Sequence, residues 1–185
     1  MATEPLEQAI ATTRTVLTGV SKEQLAESTP CAQWNVSELI NHIVGGQYFF
    51  AAGAKGEPPA AGDTDFSATD YVAAYDEGAR QALAAFQAEG VMDKTLTLPF
   101  GQMPGSAFMG LAATDTLTHG WDLAKATGQD TDLAPELSAA LLERAKVAIQ
   151  PAFRSEDGAF FGFEQTAPAG ASNADQLAAF LGRQV

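Results

Sequence analysis

Cysteine is almost missing from this chain: Cys31 is the only one in 185 residues. An internal disulfide is therefore excluded, and a reducing cytoplasm is the expected compartment. Cations are scarce as well, with ten Lys and Arg against 23 Asp and Glu and a net charge of −13. No basic stripe is left to meet nucleic acid or an anionic membrane surface, so neither is expected as a partner. A basic segment followed by an apolar one is absent from Met1-Ala2-Thr3-Glu4-Pro5, so no signal peptide is expected. Long apolar runs are lacking too. Thr95 to Thr114 is uncharged over about the length of a membrane span, but Pro99, Pro104 and three glycines interrupt it. What remains is 46% apolar and 18% charged, the balance of a folded globular chain rather than a disordered one. Its length suits a single domain, 1–185, with enough core to dispense with disulfides.

Histidine is the other rarity, and both copies sit in apolar, helix-forming surroundings. His42 lies in Glu38-Leu39-Ile40-Asn41-His42-Ile43-Val44. His119 lies in Asp115-Thr116-Leu117-Thr118-His119-Gly120-Trp121-Asp122-Leu123. Asp115 precedes His119 by one helical turn, so the two side chains project from one face. An imidazole and a carboxylate at that spacing, joined by a second imidazole from another helix, make a three-ligand set with coordination positions left open. That arrangement belongs to catalytic rather than structural zinc. Taken singly, each histidine reads as readily as a hydrogen-bonded core residue. The candidate metal ligands are His42, Asp115 and His119.

Periodicity predicts a mostly helical chain. Leu6, Ile10, Thr13, Val16, Leu17 and Val20 follow a first helix that ends near Gly19. Asn35 and Glu38 have the spacing of a capping box that starts a second helix, reaching to about Ala54, with Trp34 placed to staple it. Gly53 to Asp65 reads as a loop, and a third helix starts at Ser67 or Asp70 and ends at Gly90. Lys94 to Pro99 alternates like a short strand, followed by a turn at Gly101–Gly105. A fourth helix runs from about Ser106 to Gly128 and a fifth from Leu133 to Ile149, with Pro135 near its start. Pro151 to Asn173 reads as an irregular loop, and Asp175 to Leu181 as a short closing helix. Four long helices and one extended crossover predict an all-α four-helix bundle, an architecture that builds metal sites between facing helices.

Neighbouring residues carry weaker expectations. Asp122, three residues after His119, is placed to orient an imidazole or to pair with Arg80. Gly45 and Gly46 leave room for a ligand or, more simply, allow close helix packing. Trp34 and Trp121 read as core before pocket wall. Cys31 precedes His42 by a span that puts it about 10 Å or more from the metal, as a small buried residue and not a ligand.

The string TPCAQWNVSELINHIVGG, residues 29–46, resembles the opening motif of the mycothiol-dependent maleylpyruvate isomerase N-terminal-domain family. That family belongs to the DinB-like metalloenzyme superfamily. DTLTHGWDLAKATG, residues 115–128, resembles its second motif, and DQLAAFLGR, residues 175–183, the tail of its single-domain actinobacterial members. The resemblance implies a DinB-like bundle with a long crossover and a divalent metal, zinc or nickel, on His42, Asp115 and His119. The isomerase has a glutamate where this chain has Asp115, and many DinB-like relatives have a histidine. The isomerase also carries a further C-terminal domain that contributes to its site, so the resemblance implies the metal bundle and not maleylpyruvate isomerisation itself.

Two imidazoles and a carboxylate leave a divalent ion with net positive charge, and a thiol bound there is deprotonated. The resemblance makes mycothiol the thiol cosubstrate, so the first expectation is a transferase or isomerase acting on an electrophile. Water in place of the thiol would give a hydrolase. A non-catalytic metal- or small-ligand-binding bundle is the alternative class, and a homodimer stays open.

Overall fold

Six α-helices and one two-stranded hairpin organise the described residues, 3–59, 64–155 and 161–185, of a computed structural model. Helix α1, Glu4–Thr18, buries Leu6, Ile10, Thr13, Val16 and Leu17, the stripe its period predicts. Helix α2, Val36–Lys55, starts at the expected box: Glu38 donates its amide to Asn35 Oδ1 at 2.9 Å, and Asn35 donates its amide to the Glu38 carboxylate at 2.8 Å. It ends at Gly56 with φ +75°, a left-handed cap that glycine takes without a Cβ clash. Helix α3, Tyr71–Phe86, is capped by Asp70, whose carboxylate accepts the Ala73 amide at 3.0 Å. It stops at Phe86 rather than Gly90, because Ala88 to Lys94 tightens into turns.

The alternating segment is a hairpin, not a strand and a turn. Strand β1, Thr95–Leu98, pairs antiparallel with β2, Gly101–Pro104, with Thr95 opposite Pro104 and Leu98 opposite Gly101. The expected turn at Gly101–Gly105 is therefore the second strand, and the chain reverses at Pro99 and Phe100. Leu96 and Leu98 bury their side chains, which leaves the β1 backbone in need of a ladder partner. Helix α4 follows at once, Gly105–Ala126, then α5, Pro135–Ala148, and α6, Asn173–Phe180. Helix α6, capped by Ser172, starts two residues earlier than its periodicity suggested. Between α5 and α6, Pro151–Phe153 forms one 3₁₀ turn. Gly53 to Lys55, expected in the loop, are the last residues of α2, which Gly56 rather than Gly53 ends. Residues 156–160 of that irregular stretch, and residues 60–63 of the loop after α2, lie outside the described residues, as do Met1 and Ala2.

Hydrogen bonds between elements set the directions of the helices. Tyr71, at the start of α3, donates to the Val20 carbonyl beyond the end of α1 at 3.2 Å. Gln87, past the end of α3, donates to Thr3 before α1 at 3.3 Å, so α1 and α3 are antiparallel. Ser37 meets Ser67 at 2.6 Å and Tyr48 donates to the Ala74 carbonyl at 3.0 Å, so α2 and α3 run the same way. Thr13 donates to the Thr116 carbonyl at 2.9 Å and Gln129 to the Val16 carbonyl at 3.0 Å, so α1 and α4 also run together. Consecutive parallel helices need a connection that returns the length of one of them, about 30 Å for the 20 residues of α2. The chain between α2 and α3 is thus the long crossover, and the architecture is the all-α DinB-like bundle expected.

Trp121, Tyr75, Phe86 and Phe108 are the largest fully buried side chains, each worth about 1.5–3 kcal/mol on burial. Helices α5 and α6 pack on each other and cover α4, which becomes the central helix. From Thr116 to Ala124 every α4 residue is buried. Among the described residues no helix is long and apolar enough to cross a membrane.

Candidate metal centre

A helix buried on all sides has little use for polar side chains unless they meet one another. In α4 they do. Asp115 and His119 point toward His42 of α2 at the end of the bundle where α2 begins. Asp115 Oδ1 lies 3.6 Å from His119 Nε2 and 3.8 Å from His42 Nε2. The imidazole rings meet edge to face, with centroids 4.5 Å apart. One donor atom from each of the three residues falls within 4.8 Å of the others. All three residues predicted as ligands are brought together.

His42 Nε2 is shielded from solvent and has no hydrogen-bond partner among the described residues. Leaving such a group unmet costs about 1–3 kcal/mol. A divalent cation would satisfy it, and the two imidazoles and one carboxylate are the donor types such ions take. The side chains of His42 and Asp115 keep 35% and 28% of their exposure against 11% for His119, so the cluster opens to solvent on the α2 side. On these grounds the residues fit the implied metal.

Behind His119 lies a second layer. Asp122, fully buried, accepts from His119 Nδ1 at 3.0 Å, the orienting role the spacing suggested. The alternative partner, Arg80, is instead taken up by Glu77 at 2.6 Å on its own helix. Asp122 pairs with Arg183, whose Nη2 and Nε donate at 2.9 and 3.2 Å. Arg183 is the last residue of the tail motif, 175–183, the one sign in the sequence of its place in the site.

Cys31 is a correction. Its Sγ is 3.2 Å from Asp122 Oδ2 and 3.9 Å from His119 Nδ1, nearer to these residues than a count along a helix suggests, and the residue is half-buried rather than buried. The distance counted along a helix fails because Thr29 to Trp34 folds into a turn. Thr29 Oγ1 accepts the Cys31 amide at 3.1 Å and donates to the Trp34 carbonyl at 2.8 Å. That turn also brings Trp34 over the site. Its ring centroid is 4.4 Å from that of His42 and 5.7 Å from that of His119, so it is pocket wall rather than core. Trp121 is core, 1% exposed, with Nε1 donating to Asp175 at 2.9 Å.

A Cβ on Gly46 would stand 3.8 Å from Asp115 Oδ2, so this glycine keeps space beside the carboxylate rather than permitting tight helix packing. The tight contact on α2 is at Gly53, where a Cβ would come within 2.7 Å of Phe108.

Burial raises the affinity of both carboxyls for protons, yet both stay ionised. For Asp115 the imidazoles of His119 and His42, with Arg183 behind them, outweigh burial and hold the carboxyl below its usual range. For Asp122 the Arg183 guanidinium and then His119 outweigh it further. Burial, with the Asp122 charge beside it, pushes the Cys31 thiol up to about 12, so it stays protonated.

Imidazoles and a carboxylate converging from facing helices are the kind of side-chain cluster on which helical bundles build metal sites. Comparison with known proteins narrows the class. The profile of the family described as mycothiol maleylpyruvate isomerase N-terminal domain matches residues 6–124, and the chain belongs to that family. Two uncharacterized proteins, from two strains of Mycobacterium tuberculosis, are each 45% identical over 172 residues, covering 92% of this chain and 91% of the relative. No solved structure matches.

Proposed function

We propose that this protein is a divalent-metal enzyme that activates mycothiol for transfer to, or isomerisation of, a small electrophile. His42, Asp115 and His119 would hold the ion, with zinc or nickel the best match. The observation that carries the reading is the inward-facing, unpartnered Nε2 of His42 beside the Asp115–His119 pair. Family membership supports the thiol, since the family is linked to mycothiol-dependent isomerase activity.

The ion would supply a Lewis-acidic centre that favours the thiolate form of a thiol cosubstrate at neutral pH. The chain's own residues set the conditions around it. Asp122 accepts the hydrogen bond of His119 Nδ1–H and so leaves Nε2 facing Asp115 and His42. Trp34 packs against the His42 ring and narrows the opening on the α2 side. Gly46 keeps the approach to Asp115 clear of a side chain. The reading includes a cytoplasmic location, where low-molecular-weight thiols stay reduced, and one domain, because Arg183 of the tail reaches the same cluster.

A second reading, a non-catalytic metal- or small-ligand-binding bundle, draws on the protonation states at the site. Asp115 and Asp122 are both held ionised and Cys31 is held protonated, so none of the three is poised to exchange a proton near neutral pH.

The test is spectroscopic. The cobalt-substituted protein should develop a sulfur-to-metal charge-transfer band when mycothiol is added, with bacillithiol and glutathione weaker. Conjugation of the thiol to a model electrophile should require the metal and fall sharply in Asp115→Ala. A fully loaded protein with no thiol-dependent spectral change leaves the binding-bundle reading in its place.

A further inference from the structure

His119 stands between two donor sets. Through Nε2 it faces Asp115 and, beyond it, His42. Through Nδ1 it faces Asp122 Oδ2 at 3.0 Å and Cys31 Sγ at 3.9 Å. In each set the donor atoms lie within 4.8 Å of one another. A thiolate, an imidazole and a carboxylate suit zinc or cobalt at least as well as two imidazoles and a carboxylate do. Donor chemistry and proximity therefore fail to say which side of the ring takes an ion.

The difference is Arg183. Its guanidinium lies against the second set alone, donating to both oxygens of Asp122 at 3.2 and 2.9 Å and approaching Cys31 Sγ to 3.8 Å. A guanidinium is a permanent cation whose fork matches a carboxylate. It occupies the charge and the lone pairs that an ion there would need. The arginine is held by backbone, not loosely tethered. Its amide donates to the Ala178 carbonyl at 3.0 Å, and Nη1 donates to the Leu181 carbonyl at 3.1 Å. Gly182, at φ +98°, passes Gly162 so closely that a Cβ would come within 2.6 Å of its Cα.

We propose that Arg183 selects the metal site: by occupying Asp122 it closes the Cys31–His119–Asp122 set to cations and leaves His119 to bind through Nε2. The inference rests on the reading of His42, Asp115 and His119 as ligands. With the guanidinium forked onto both oxygens of Asp122, Oδ2 also accepts the hydrogen bond of His119 Nδ1–H, and the Nε2 lone pair is free on the other side. Cys31 stays a thiol that donates to Asp122 and coordinates nothing. Without the guanidinium the second set becomes an ordinary cation site; on binding there Cys31 would lose its proton to solvent, and the His119 proton would move from Nδ1 to Nε2.

The experiment loads the full chain with cobalt and adds no thiol. The wild type should show ligand-field bands and no sulfur-to-cobalt charge transfer. Arg183→Met should gain that near-ultraviolet band, and Arg183→Met combined with Cys31→Ser should lose it again. Arg183→Lys, which keeps a cation, should stay close to the wild type. A loaded Arg183→Met protein without a sulfur band overturns the proposal, as does a wild type that already has one. Should Arg183→Met fail to fold, the metal-free wild type still decides. With only two histidines in the chain, imidazole nitrogen resonances should place the His119 proton on Nδ1, and finding it on Nε2 overturns the proposal. Failure of the wild type to bind cobalt, or undiminished binding in His42→Ala, would sink the ligand assignment and this inference with it. A loaded wild type beside a sulfur-silent Arg183→Met sinks the inference alone.

Discussion

Asp122→Ala removes one carboxylate and disturbs three neighbours at once. Asp122 is fully buried and accepts from His119 Nδ1 at 3.0 Å, Arg183 at 2.9 and 3.2 Å, and Cys31 at 3.2 Å. The largest cost is the Arg183 guanidinium, whose side chain is 14% exposed and would lose its counter-charge. Breaking a buried pair on one side costs about 3–5 kcal/mol. For a chain of this size each kcal/mol moves Tm by about 2–4 °C, so calorimetry of the metal-free variant should show a drop of about 6–20 °C. Metal affinity should fall separately, by about 10–100-fold, because an unanchored imidazole binds more weakly; a competition titration with cobalt measures it. Asp122→Ala combined with Arg183→Met removes both charges. It should recover most of the stability and none of the affinity, since His119 still lacks its acceptor. The pH dependence has a definite sign. Although burial opposes it, Arg183 and His119 hold the folded Asp122 carboxyl below its unfolded value. Its stabilisation is complete above about pH 4 and is lost only as pH falls below that range. The wild-type advantage should therefore be level between about pH 5 and 7 and shrink in stronger acid. A single variant that loses less than about 1 kcal/mol, or a double variant as unstable as the two singles summed, would refute the reasoning.

Three further outcomes are expected. Chelating a bound ion should lower Tm by about 6–16 °C, the equivalent of about 3–4 kcal/mol of linkage. Far-ultraviolet circular dichroism at low temperature should persist, because the core does not depend on the site; its collapse would make the ion structural. Alkylation of Cys31, with the thiol pushed up to about 12 by burial and Asp122, should run about a thousandfold slower at pH 8 than that of an ordinary cysteine and quicken as pH rises. Mass spectrometry over time measures it, and ordinary reactivity would contradict the buried placement. In Gly120→Ala the new methyl would run into the Thr13 hydroxyl, which donates to the Thr116 carbonyl at 2.9 Å. A loss of about 1–3 kcal/mol is expected by thermal melting, and an unchanged melt would mean that α1 and α4 are not so close.

The residue pattern alone determined whatever depends on neighbours along one helix. Rise and rotation per residue are constant in an α-helix, so Asp115 and His119 must share a face, Asn35 and Glu38 must close a capping box, and the buried stripe of α1 must include Leu6, Ile10, Val16 and Leu17. Gly46 and Trp34 were misjudged because their surroundings come from other elements: Asp115 of α4 for the first, the two imidazoles for the second. The second strand of the hairpin was missed because β2 contributes no apolar alternation of its own and exists as the ladder partner of β1. Only the tertiary structure brought Cys31, Asp122 and Arg183 together, with 91 residues separating the first two and 61 the last two. No spacing rule spans such distances. Which side chains meet there is decided by how the turn at Thr29–Trp34 and the α6 terminus close over the end of the bundle, since backbone geometry propagates along a helix and stops at the first loop.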